Sequence, residues 1–210
     1  KLKILEEIRF IELDLINEYF ISKVMIDSVS TPFKHRKNKI FITPQGAGVN
    51  STISVRVVYK GKPPEAEKPP WSGGFTWEKS NDGYPWVGFS CQGNGSQIWY
   101  PCKEHPSDEP DSADIHITVP KPLSVASNGL LQSVKDHRDK WHTWHWKTGY
   151  NINPYNINFT VGHFDVVERI SPVLGKPLKV QFYVLKENAD GAEKLLDQAE
   201  SFLDFFSRNF

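Results

Sequence analysis

The chain has 210 residues, of which 39% are hydrophobic and 24% charged, a composition that supports a sizeable buried core and excludes a disordered segment. Its 25 Lys and Arg balance 25 Asp and Glu, so no net field gathers nucleic acid or an anionic membrane surface, and neither is an expected partner. Apolar runs fall well short of the roughly 20 residues of a spanning helix, and the longest basic block, Lys34-His35-Arg36-Lys37-Asn38-Lys39, reads as a solvated turn.

The chain starts at Lys1 with neither an initiator Met nor a signal-peptide pattern, so it reads as a piece of a longer protein, and its compartment is not legible. Residues 1–30 open with mixed periods. Ile11, Leu13 and Leu15 alternate with Glu12 and Asp14 at strand spacing, and Tyr19 to Asp27 is rich in ring and β-branched residues until Ser30-Thr31-Pro32 stops it. Ile40 to Thr43 predicts a short strand between the basic turn at His35 to Lys39 and Pro44-Gln45-Gly46. The clearest alternation is Thr52 to Val57, closed by the Gly61 to Pro64 turn.

Pro63, Pro64, Pro69 and Pro70 bracket a charged segment that suits neither a helix nor a central strand. Asn81-Asp82-Gly83 reads as a hairpin turn into Pro85-Trp86-Val87. Strands are then expected at Ala113 to Pro120, Leu130 to Val134, Trp141 to Lys147, Ile157 to Val161 and Leu178 to Val184, with a turn at Ser127-Asn128-Gly129. Many short strands with Gly, Pro and Asn turns predict an all-β fold, a large antiparallel saddle-like sheet or sandwich. The period changes near the end: Ala192, Leu195, Leu196, Ala199, Phe202, Leu203 and Phe206 form the stripe of one C-terminal α-helix, with Asn188 or Asp190 as its cap. That stripe either packs back on the sheet or opens a further domain, and the second reading is preferred.

The stretch from Pro85 to Asp111 stands apart. It holds both cysteines and mixes rings, glycines, amides and carboxylates, the composition of a shaped surface. Cys91 and Cys102 could be bridged, or each could be a small buried hydrophobe.

With these segments in order, the chain resembles the N-terminal domain of the gluzincin-type zinc aminopeptidases, the family of aminopeptidase N and leukotriene hydrolase. The resemblance rests on Gly61-Lys62-Pro63-Pro64, Pro70-Trp71-Ser72-Gly73-Gly74-Phe75, Cys91-Gln92-Gly93, Tyr100-Pro101-Cys102, Asp108-Glu109-Pro110-Asp111, Val119-Pro120, Ser127-Asn128-Gly129 and Asn153 to Gly162. It spans roughly residues 8–186, and the order of the segments is more specific than any one of them. It implies a β domain over 1–186 and, over 187–210, the first helix of a catalytic domain that continues beyond Phe210. The implied parent is a metallo-exopeptidase that removes N-terminal residues from peptides, with zinc as its cofactor.

The family's chemistry needs H-E-x-x-H for zinc and G-x-M-E-N for the substrate amine. None of the seven histidines is followed by Glu, and the single Met, Met25, precedes Ile26. This part is therefore expected to contain no catalytic residue and no metal ligand, to bind no zinc itself, and to cover the active-site cleft of its own catalytic domain. One substrate contact is implied: an amide or carboxylate beside a domain Cys helps bind the substrate's free amine, and the matching position is Gln92, after Cys91. The residue before that Cys, usually Gln in the family, is Ser90. Read from the residues alone, Gln92 could instead cap the turn before Gly93.

Other candidates read as structural. Asp108, Glu109, Asp111 and Asp114 could hold calcium, but Pro106 and Pro110 break a ligand loop, and pairing with Lys103 or Lys121 or with backbone N–H groups is the simpler reading. His142 and His145, three apart on a strand, point to opposite faces. His105 lacks a second nitrogen ligand. The seven tryptophans leave a rival reading open, a stand-alone β-sandwich that binds carbohydrate or protein.

Overall fold

The structure is a computed structural model describing residues 1–44 and 46–210, so the Pro44-Gln45-Gly46 turn includes one position, Gln45, outside the described residues. The chain divides into two compact units, one of residues 1–76, 89–113 and 148–158, the other of residues 77–88, 114–147 and 159–210.

In the first unit, β1 (Leu2–Lys3) pairs with β7 (Thr52–Ile53), β2 (Ile11–Asp14) with β6 (Lys39–Ile42) and on to β5 (Phe33–Arg36), and β4 (Val29–Ser30) with β3 (Phe20–Ile26) and on to β8 (Val55–Lys60), all antiparallel. Alternation sends Ile11 and Leu13 inward and leaves Glu12 in water, while Ile40 and Ile42 of the facing strand are fully buried. These side chains join Leu15, Tyr19, Ile21, Val24, Ile26, Ile53, Cys91 and Ile98 in one core. The Tyr19 hydroxyl, buried, donates to the Ile98 carbonyl (2.7 Å), and Tyr59 does the same for Trp99 (2.6 Å). Burial therefore pushes the Tyr59 phenol up to about 12.

Two-residue turns join the hairpins. Asp27-Ser28 and Lys37-Asn38 all have positive φ, which matches the twist of the flanking strands. The basic block is thus less turn than expected: only Lys37 and Asn38 form the bend, while His35 and Arg36 lie in β5 and Lys39 in β6. Asn38 and Asn17 lock the bend, each side chain accepting from the other's backbone N–H at 2.9 and 3.0 Å.

The strands β9 (Gly74–Lys79) and β10 (Pro85–Ser90) flank the expected Asn81-Asp82-Gly83 turn, with Ser80 N donating to Tyr84 O at 3.0 Å. In the second unit, β11 (Ala113–Pro120), β14 (Trp141–Thr148) and β13 (Leu130–Asp136) make one sheet in the order β11-β14-β13. β12 (Ser124–Ser127) and β15 (Phe159–Gly162) pair over four residues, and β15 meets β10 at Val161 and Val87. The longest hairpin joins β16 (Phe164–Val173) to β17 (Lys176–Leu185) through Leu174-Gly175. Sequence reading misses β16, because Val166-Val167 and Glu168-Arg169 break the alternation and Pro172 argues against a strand. The strand expected from Ile157 starts only at Phe159, because residues 154–156 form a short 3-10 turn.

The predicted helix is α1 (Ala189–Asn209). Asn188 sits at its cap position but makes no side-chain cap bond, and Asp190 lies in the first turn. Its first half packs on β16 and β17, burying Ala192 and Leu196 fully, and Arg169 of β16 reaches Glu193, Asp197 and Glu200 at 2.9, 2.6 and 3.5 Å. The rings Phe202, Phe205 and Phe206 stay exposed. The all-β expectation holds, as several antiparallel sheets and one C-terminal helix. Among the described residues, no helix is long and apolar enough to cross a membrane.

Core burial sets a contrast in stability. Leu15→Ala, at a fully buried site, should cost about 2–5 kcal/mol, while Leu130→Ala, 74% exposed on β13, should change stability by at most about 0.5 kcal/mol. Urea unfolding of the two variants measures both.

Candidate substrate-contact site around Gln92

The chain leaves β10 at Ser90 and turns at once. Asn94 N and Gly95 N both donate to the Cys91 carbonyl, at 3.2 and 2.8 Å. Ser96 to Ile98 then wind into one 3-10 turn whose first N–H groups need an acceptor. Glu104 supplies it: its Oε2 accepts from Ser96 N (2.6 Å) and Gln97 N (3.2 Å), and also from the Cys102 thiol (3.3 Å). Gly95 makes room. Its φ is +74°, and a Cβ there would lie 2.5 Å from the Glu104 carboxyl carbon.

Beneath the turn, the fully buried Ser96 hydroxyl donates to Pro154 O at 2.6 Å, so the Cys91 thiol 3.8 Å away is left as donor to Ser96. Tyr100 also donates to Pro154 O, at 3.1 Å. Both cysteines are free and buried, which decides the question the sequence leaves open. Burial pushes each thiol up, and for Cys102 the Glu104 carboxylate adds to it. They are packing groups held neutral.

Gln92 rides on this base with its side chain exposed. Its N–H donates to Ser90 Oγ at 3.2 Å, and that hydroxyl donates to Pro70 O at 2.9 Å. Gly73 backs the turn so closely that a Cβ would meet Gln92 O at 2.8 Å. The Gln92 amide oxygen accepts from the Tyr155 hydroxyl at 3.0 Å. A carbonyl oxygen has two lone pairs, so this bond orients the amide and leaves acceptor capacity for a cationic donor. Sequence reading places Tyr155 within the Asn153 to Gly162 segment but gives it no role at the site. Its signal was the Asn153-Pro154 pair, a cap followed by Pro at the first turn position: Asn153 Oδ1 accepts from Tyr155 N at 2.9 Å.

The other candidates separate. Asp108 pairs with Lys103, as the sequence suggests, while Lys121 pairs with Asp136 at 2.8 Å. His105 Nδ1 meets Ser107 Oγ at 2.7 Å. His142 is buried and donates to Leu123 O, while His145 lies on the other face of β14 against Asp114, at 2.7 Å. Among the described residues, the one trio of metal-ligating side chains that converges is Asp114, His116 and His145, with ligand atoms within 4.8 Å of one another. Sequence reading considers Asp114 with the acidic turn and His145 with His142, and so misses this set. The signal was Asp114-x-His116, two steps along one face of a strand.

No family model matches the chain. Human (Homo sapiens) glutamyl aminopeptidase is 32% identical over 111 residues, which is 53% of this chain and 11% of that protein. Among solved structures, an M1 zinc metallopeptidase from Deinococcus radiodurans matches with a TM-score of 0.67 at 19% identity, over 85% of this chain and 39% of that one. The chain has the fold found in zinc aminopeptidases. A variant of the Deinococcus enzyme bound to a Tyr-Ser-Ala substrate matches equally well, at 21% identity over 85% of this chain and 40% of that one. Aminopeptidase A of Legionella pneumophila, in complex with aspartic acid, gives 0.68 at 14% identity, over 89% of this chain and 21% of that one. The likeness to the solved metallopeptidases is one of fold, the likeness to glutamyl aminopeptidase is one of sequence over about half of the chain, and the chain spans less than half the length of each of these proteins.

The glycine contacts predict a difference. Gly95 and Gly175 share φ +74°, but a Cβ at Gly175 meets nothing within 4 Å. Both Ala variants should lose roughly 1–2 kcal/mol of stability to left-handed backbone strain, and Gly95→Ala should lose at least about 1 kcal/mol more, because the Glu104 carboxylate has to move and its bonds to Ser96 and Gln97 weaken. Denaturant midpoints of the two variants check the ordering.

Proposed function

We propose that this chain is the N-terminal β domain of a zinc metallo-aminopeptidase. Residues 1–186 form the β domain, and residues 187–210 supply the first helix of the catalytic domain. The observation that carries the reading is the agreement of two independent likenesses: 32% identity with an aminopeptidase over 111 residues, and TM-scores of 0.67–0.68 over at least 85% of the chain. The exposed rings of α1 suit a helix with further protein to meet.

The residues present do not fit the family's catalytic zinc. Its ligands sit on a helix, and α1, which contains no histidine, is the one α-helix among the described residues. The buried His142 is committed to a backbone carbonyl. The zinc and the bond-breaking step therefore belong to another part of the parent protein, and no step of catalysis is assigned to this chain.

Its role in the reaction is recognition. The domain covers one side of the cleft and presents Gln92 to the ammonium of a peptide's first residue. An exopeptidase needs fixed oxygen acceptors for that group, because binding it selects chain ends over internal bonds. Gln92 meets the physical requirement: an amide oxygen oriented by Tyr155, on a turn held by Gly73 and Ser90. The rival role, a carbohydrate platform, calls for exposed rings gathered together. Here Trp146 is buried and Trp86, Trp99 and Trp144 are partly buried, so four of the seven tryptophans serve packing instead.

In the full-length enzyme, Gln92→Ala should lower kcat/KM on amino-acid amides about tenfold, the worth of one hydrogen bond to a charged group. Zinc content should not change. Tyr155→Phe should give a smaller loss of the same kind. Wild-type kinetics in the Gln92 variant would remove the residue from the substrate site.

A further inference from the structure

We propose that Asp114, His116 and His145 form a binding site for a divalent transition cation of the kind that prefers imidazole ligands, such as Zn2+. This goes beyond the sequence reading, which expects no metal ligand here, and it does not depend on the proposed function.

The backbone places the three side chains. Thr118 and Thr143 hydroxyls meet at 2.8 Å, the His116 and His145 rings stack with centroids 4.0 Å apart, and Lys147 reaches Asp114 at 3.6 Å. Residue numbers rise along β11 as they fall along β14, so these contacts follow one antiparallel register. All six side chains share the outer face of the sheet. On the inner face Ile115, Val119, His142 and Trp146 are buried, and Trp146 is fastened to Val125 O at 3.0 Å. β14 lies between β11 and β13. The ligands therefore stand on a central strand and its neighbour, supports that do not drift.

The geometry suits a cation after a small rearrangement, in which the His116 nitrogen closes in and the closest pair opens. Ligand atoms of a tetrahedral zinc lie roughly 3.3 Å apart, given metal–ligand bonds of about 2.0–2.2 Å. His145 Nε2 and Asp114 Oδ1 are 2.7 Å apart with a proton between them. A cation replaces that proton, and the two atoms move outward by about half an ångström to admit it. The third ligand comes from His116, whose exposed ring turns about a broad sp3–sp2 torsion to bring a nitrogen toward the same point. The rings lie within 14° of parallel, so this turn also breaks the stack. Two imidazoles and one carboxylate make three protein ligands, and water completes the fourth position. Lys147 is the built-in competitor, since its ammonium already pairs with Asp114.

The test is a Zn2+ titration of this chain against a chromophoric chelator, with Co2+ absorption and histidine ring NMR as second readouts. The expected result is one equivalent bound, with the His116 and His145 ring signals shifting together and the others unmoved. His116→Ala and Asp114→Asn, both at exposed positions, should each weaken binding about tenfold or more, and Lys147→Gln should tighten it roughly two- to fivefold, the worth of one exposed charge pair. Zinc affinity unchanged by His116→Ala, or ring shifts at other histidines instead, would overturn the assignment.

Discussion

One carboxylate organises the segment that holds Gln92, the residue proposed to meet the substrate. Glu104 takes hydrogen bonds from two backbone N–H groups and a thiol, and its own N–H donates to Asp14 Oδ2 at 3.1 Å. Asp14 is in turn bound by Lys39 at 2.9 Å, and its backbone bridges to Cys102 on both sides. That hydrogen bond is the main reason the Lys39 ammonium is held above its usual range. The chain from Cys91 to Glu104 is thereby tied to β2, in the heart of the first core. A loop that leaves a strand and makes little secondary structure of its own is ordinarily mobile. This one is held at Cys91, Ser96, Tyr100, Cys102 and Glu104, so Gln92 projects from a fixed base.

The residues that look most chemical in the sequence are used for this fastening. Two cysteines invite a reading as a bridge or a nucleophile, yet a reactive thiol needs a stabilised thiolate. Here burial and a neighbouring carboxylate work against the charged form. Ser96, beside them, spends its hydroxyl on Pro154. Composition marked the right stretch for a reason other than reactivity: tight turning demands glycines, and a turn that buries its N–H groups demands a carboxylate.

Much of the β architecture was legible because it is local. β11 runs from Ala113 to Pro120, as its alternation predicts, and the helical stripe of α1 begins near its expected cap. What escaped depends on partners distant in sequence. β16 breaks its alternation because α1 and β17 both claim it: Arg169 is a bridge to three acids on the helix, partners that lie 24 to 31 positions away. Tyr155 matters only because Gln92 lies across from it, 63 positions away in the chain. His116 and His145 meet through a register that no period along one strand reveals.

The outer face of β11 and β14 makes a related point about what a sheet does with polar residues. The Thr118–Thr143 bond, the His116–His145 stack and the Asp114–Lys147 pair form a ladder in which each rung matches like with like or opposite charges. Such cross-strand pairs stabilise a sheet by about 0.2–1 kcal/mol each. That explains a histidine beside a histidine without invoking any ligand. It does not explain why Asp114 bonds diagonally to His145 when Lys147 stands opposite. The diagonal bond is the shorter, and it holds Asp114 below the usual carboxylate range more than Lys147 does. A carboxylate drawn off its rung toward His145, with a His116 nitrogen within 4.8 Å, has left the simple charge ladder for the arrangement proposed as a cation site.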